Sequence, residues 1–165
     1  MRKVFGFILT ASFLLLGASC NSTDCPLNNL VRAYYVVYSS SNGKTTNIPD
    51  TLSILAADTT LLNRSVNTAT FNLPMGYLNA QDTLYFQFRT ATGGTTDTVV
   101  IAHTNTPHFV SLDCGTSVFH KITAISNSHR RPTAYCPTAI DSIVISKNTV
   151  NYDQTENFKV YISTY

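Results

Sequence analysis

Between Thr83 and Thr90 apolar and polar side chains alternate without a break, with Leu84, Phe86 and Phe88 set against Tyr85, Gln87 and Arg89. Successive side chains of an extended strand point to opposite faces, so a period of two specifies a half-buried strand and excludes a helix there. The pattern recurs at Thr98 to His103 through Val99 and Ile101. Further runs rich in β-branched and aromatic residues span 30–38, 51–57, 68–73, 108–113, 119–125, 140–146 and 157–163. Gly93-Gly94, within 91–96, joins two alternating runs as a hairpin loop. About nine short strands separated by turn residues predict an all-β chain, an antiparallel β-sandwich that is immunoglobulin-like in a loose sense. No strand order follows from the pattern. The chain ends in strand, and a terminal strand at a sheet edge can pair with a partner chain.

The N-terminus reads differently. Arg2 and Lys3 precede an uncharged, mostly apolar run from Val4 to Leu16. That run is too short to span a bilayer, which takes about 20 residues, but suits a secretory signal. It closes on Leu16-Gly17-Ala18-Ser19-Cys20, which resembles a bacterial lipobox, with Gly17 where that pattern prefers Leu. The resemblance implies cleavage before Cys20 and acylation of that residue, and multiple acyl chains give a stable anchor. The expected organisation is a signal peptide over 1–19, a lipidated tether over 20–29 and a sandwich domain over 30–165. Asn21-Ser22-Thr23-Asp24 places no acid directly after Cys20. The expected location is therefore the outer membrane, facing the periplasm rather than the cell surface.

Composition supports this reading. The 165 residues are 44% hydrophobic and only 12% charged, a balance opposite to that of a disordered chain and sufficient for one core. With Arg2 and Lys3 removed, nine basic residues face nine acidic ones. A neutral chain lacks the basic footprint of a nucleic-acid binder.

Setting Cys20 aside leaves Cys25, Cys114 and Cys136, an odd number for an oxidising compartment. Three pairings are possible. Were the intervening strands a meander, Cys114 and Cys136 would lie at opposite ends of a sheet, beyond disulfide reach. Cys25 precedes the first strand and can reach either. The favoured pair is Cys25 with Cys114.

The lipobox, Cys25-Pro26, Asp50-Thr51-Leu52, Leu73-Pro74, Asp113-Cys114-Gly115 and the closing Asp141-Ser142-Ile143, Glu156-Asn157-Phe158 and Tyr161 together form a pattern. It resembles a family of small lipoproteins of unknown function from Gram-negative gut and environmental bacteria. The resemblance covers residues 20–165. It implies a β-rich envelope protein, supports the Cys25–Cys114 pair and brings no activity to transfer; Cys136 departs from its pattern.

No catalytic constellation is legible. Gly-x-Ser-x-Gly and phosphate-cradling glycine loops are missing from the sequence. His103 continues the Val99/Ile101 face and reads as a structural histidine, while His108, His120 and His129 show no metal-ligand spacing. A Cys136–His129 nucleophile lacks a readable orienting group. No metal and no cofactor are expected. Nine Tyr and nine Phe with no Trp supply packing surface, and Tyr34, Tyr35 and Tyr38 cluster on the first strand. The expected role is a non-enzymatic accessory or structural component that acts through an envelope protein partner, with a glycan-binding lipoprotein as the alternative.

One tripeptide repeats. Asp, then Thr or Ser, then an aliphatic residue or Thr occurs at Thr51, Thr59, Thr83, Thr98 and Ser142, five of the eight aspartates. It resembles the O-glycan acceptor of one Gram-negative phylum's exported proteins. Turn-then-strand chemistry selects the same residues for conformational reasons.

Overall fold

A computed structural model describes residues 31–111 and 115–165. Ten strands form two packed sheets. They are β1 (Arg32–Ser39), β2 (Thr51–Ala56), β3 (Thr59–Ser65), β4 (Thr70–Pro74), β5 (Gln81–Arg89), β6 (Gly94–Ser111), β7 (Gly115–Asn127), β8 (Thr138–Ile145), β9 (Thr149–Val150) and β10 (Glu156–Thr164). One sheet has the order β4-β1-β10-β8, the other β3-β2-β5-β6-β7-β9. The chain is an all-β sandwich. Every pairing is antiparallel except that of β1 with β10.

Alternation builds the core. Leu84, Phe86 and Phe88 of β5 are buried while Tyr85 and Arg89 are exposed. Facing them, Ala33, Tyr35 and Val37 of β1 and Phe158, Val160 and Ile162 of β10 are buried. Tyr35 stacks on Phe71 and Phe158 with ring centroids 4.9 and 4.8 Å apart, and Phe71 meets Phe86 edge-on across the sandwich at 6.0 Å.

Three sequence readings change. The terminal strand is no edge: β10 runs between β1 and β8, so its backbone ladder is satisfied on both sides. The predicted strand at 98–103 and the described part of the one at 108–113, up to residue 111, belong to one 18-residue strand, β6, which runs through Pro107. β5 pairs with β6 only as far as Ala102, so beyond it β7 is the sole neighbour and a missing N–H costs no bond on the open side. β3 escaped the alternation reading because its register shifts twice against β2 and Arg64 takes a left-handed backbone, φ 48°.

The sandwich has two ends. At the proximal end, where the described chain starts at Val31, lie the 75–79 loop, the start of β5 and the outer part of the β6–β7 ribbon. At the distal end lie the start of β2, the β5–β6 turn and the segment between β7 and β8. The nine-residue β5 runs from one end to the other, about 27 Å.

Candidate functional site

At the proximal end a polar network pins the 75–79 loop. Asn105 of β6 donates through its amide nitrogen to the carbonyls of Gly76, Tyr77 and Asn79, at 3.2, 3.0 and 2.8 Å. Three carbonyls around that nitrogen fix the amide's orientation, so its Oδ1 must face the two imidazoles. Nδ1 of His103 stands 2.7 Å from this oxygen and Nδ1 of His120 2.8 Å, so both nitrogens carry the proton and donate. The opposite nitrogen of His103 lies 3.3 Å from the Asp82 carboxylate, which also accepts the Gly76 N–H at 2.9 Å. A Cβ on Gly76 would overlap that carboxylate, so a larger residue here would have to displace Asp82. Burial, then the neighbouring His103, hold the His120 imidazole below its ordinary range against the raising influence of Asp82.

Beside this network three large apolar or aromatic side chains are exposed. Tyr77, Leu78 and Phe109 are 66%, 83% and 58% exposed. Ala56, Leu61, Pro74, Met75, Leu78 and Leu84 line most of an adjoining groove of about 410 Å³.

The distal end reverses this arrangement. An open groove of about 590 Å³ is lined by Asp50, Thr51, Ser53, Arg64, Arg89 and Thr90. Asp50 is buried, with one carboxylate oxygen lacking a hydrogen-bond partner. Arg64, in its left-handed conformation, donates its backbone N–H to the Ser53 hydroxyl at 3.0 Å. Behind the groove Asp97, fully buried, accepts from Arg130 Nε and from the Ile140 N–H, both at 2.8 Å, while Arg130 also donates to the Thr138 carbonyl at 2.6 Å. That clamp ties β6 to the start of β8 and holds the 131–137 segment at this end. Tyr135 projects there, 74% exposed, beside Gly93, where a Cβ would crowd the Tyr135 carbonyl at 3.1 Å.

The sequence-predicted residues scatter. Cys20, Cys25 and Cys114 lie outside the described residues. Of the five hydroxyl residues, Thr59 is exposed, at the first position of β3, while Thr51, Thr83, Thr98 and Ser142 are half-buried. Asp82 and Asp97, two aspartates of the repeated tripeptide, serve the networks above. His103 is buried, as its place on the Val99/Ile101 face implies. His108 and Tyr152 pack around Phe119. Cys136 is a half-buried thiol with no disulfide partner among the described residues, in a turn closed by backbone bonds with Thr133, and among the described residues no hydrogen bond joins it to the exposed His129. Nor do three His, Cys, Asp or Glu side chains converge as metal ligands among the described residues.

Sequence reasoning missed Asn105, Arg64 and Arg89. Asn105 sits between two threonines with nothing local to mark it, and the two arginines converge only through the β2–β5 and β2–β3 pairings.

A family model described as a family of unknown function (DUF6452) matches residues 51–162. The match runs from the first residue of β2 to Ile162 of β10 and includes both the 75–79 loop and the distal groove residues from Thr51 to Ala91. No curated protein and no solved structure matches the chain.

Proposed function

The chain belongs to this family of unknown function, and from that premise we propose that it is a lipid-anchored, non-enzymatic accessory protein of the outer membrane that offers its distal end to a protein partner in the periplasm. Cys20 is the anchor in this reading.

The observation that carries it is the distal groove. Two arginines and three hydroxyl side chains converge there, and Tyr135, Tyr165 and Val66, 74%, 81% and 69% exposed, stand at the same end. Tyr and Arg are the residues interfaces favour, because each combines a large contact area with directed hydrogen bonds. Arg64 adds a strained backbone to that surface, and such strain concentrates at binding sites. The glycan alternative has less support, since the groove lining contains no aromatic side chain on which a sugar ring could stack.

A photo-crosslinking residue placed at Tyr135 in intact cells tests this. We expect one discrete protein adduct that falls by about tenfold, equivalent to about 1.4 kcal/mol, when Arg64 and Arg89 are both changed to Glu. An adduct indifferent to the double reversal, or no protein adduct at all, overturns the assignment. Cys20→Ala should move the protein from the detergent phase to the soluble fraction; equal partition of mutant and wild type overturns the anchor.

A further inference from the structure

We propose that the proximal end of the sandwich seats on the bilayer that carries the Cys20 acyl chains, with Tyr77, Leu78 and Phe109 entering the lipid interface. The inference rests on the lipid-anchor reading and adds a second, non-covalent membrane contact to it.

Chain length sets the geometry. Cys20 to Val31 is 11 residues, at most about 40 Å when fully extended. Val31 shares a cleft with Met75, Tyr77, Thr116 and Val118, so the tether joins the domain at this end. The distal groove lies about 27 Å further along β5. A tether attached here brings the proximal surface within reach of the lipid. Anchoring also raises the effective concentration at the lipid to the order of millimolar, so a contact too weak to recruit a free protein becomes populated once the chain is anchored.

The surface chemistry fits a lipid interface. Tyr77, Leu78 and Phe109 are all more than half exposed. Phe109 pairs with Thr116 in the ribbon, and Thr116 lines the same cleft as Val31 and Tyr77. An amphipathic ring beside aliphatic and aromatic neighbours is what the headgroup boundary accepts. Asn105 holds the 75–79 loop by three carbonyl contacts, so these side chains are displayed on a fixed frame. Charge does not oppose the contact. Among the described residues Lys121 is exposed at this end, Asp153 and Glu156 are paired with Lys147 and Lys159, Asp82 lies beside His103, and Asp58 in the β2–β3 turn has no ion pair.

The chain contains no tryptophan, which gives a clean test. Leu78→Trp and, separately, Tyr135→Trp are made in the full chain, purified in acylated form and reconstituted into phosphatidylethanolamine–phosphatidylglycerol vesicles with brominated acyl chains. Both sites are strongly exposed, so neither substitution disturbs the core. Co-flotation with the vesicles is measured first. We expect flotation, a blue-shifted Leu78→Trp emission quenched by the brominated lipid and shielded from aqueous acrylamide, and a Tyr135→Trp emission that stays wet. Flotation with both tryptophans wet, or with position 135 the shielded one, overturns the docking while leaving the anchor intact. Failure to float overturns the anchor and the docking with it.

Discussion

The two ends of the sandwich solve opposite problems with the same residue types. At the proximal end polar side chains turn inward: Asn105 bonds His103, His120 and the loop carbonyls, His103 Nε2 lies beside Asp82 without a hydrogen bond, and Tyr77, Leu78 and Phe109 are left outside. At the distal end a carboxylate is buried on a cation, Asp97 on Arg130, and a polar groove opens outward beside the exposed Tyr135, Tyr165 and Val66. The inward network pins the 75–79 loop through its carbonyls. A buried ion pair instead locks two strands and leaves neighbouring arginines free to meet a partner. The difference between the ends lies in where the hydrogen bonds are spent, not in composition.

The sharpest way to break this contrast is at the buried pair. Asp97→Ala leaves the Arg130 guanidinium and the Ile140 N–H without their acceptor, and should cost about 3 kcal/mol. For a domain of this size that lowers the melting temperature by about 10 °C. A loss below about 1 kcal/mol in urea titration would mean that the clamp is dispensable. Asn105→Ala should cost about 2 kcal/mol, because three loop carbonyls and two imidazole donors lose their partner. Amide exchange should quicken across 75–79 and stay unchanged at the distal end; acceleration at both ends would contradict the separation drawn here.

A smaller effect comes from pH. The folded state holds His120 below the ordinary value of 6.5, through burial first and His103 second, with Asp82 opposing. The unfolded chain then binds the proton more readily, so this contribution to stability is complete above about pH 6.5 and is lost as pH falls through the lowered folded value. His120→Gln, which can still donate to Asn105, should flatten the stability profile in that window. An identical slope in mutant and wild type would remove His120 from the account. The smallest effect is at Arg64. Arg64→Gly relieves a left-handed backbone and should raise stability by about 0.5 kcal/mol while weakening partner capture; a stability loss would show that the side chain holds the groove together.

Local pattern made the strands legible, and relations between distant residues were not. Leu84, Phe86 and Phe88 announce β5 because burial on one face imposes a period of two within a single segment. Whether β10 lies at an edge depends on β1 and β8, which its own residues do not record. Pro107 looked like the start of a strand because the pattern cannot show that β5 has already ended alongside it. The site was less legible still. Asp82-Thr83-Leu84 and Asp97-Thr98-Val99 are nearly the same words in sequence, yet one carboxylate meets His103 and the other Arg130. Their roles belong to partners 21 and 33 positions away, supplied by strand register and by the return of the 128–137 segment.

Hydrogen–deuterium exchange on the acylated protein in vesicles, compared with the unanchored Cys20→Ala protein in buffer, tests the two-ended arrangement most directly. Peptides covering 75–79 and 105–109 should exchange more slowly on the bilayer, while those covering 49–53 and 89–91 should exchange at the same rate in both. Slower exchange at the distal groove, or no change at the 75–79 loop, would contradict the assignment of one end to the membrane and the other to a partner.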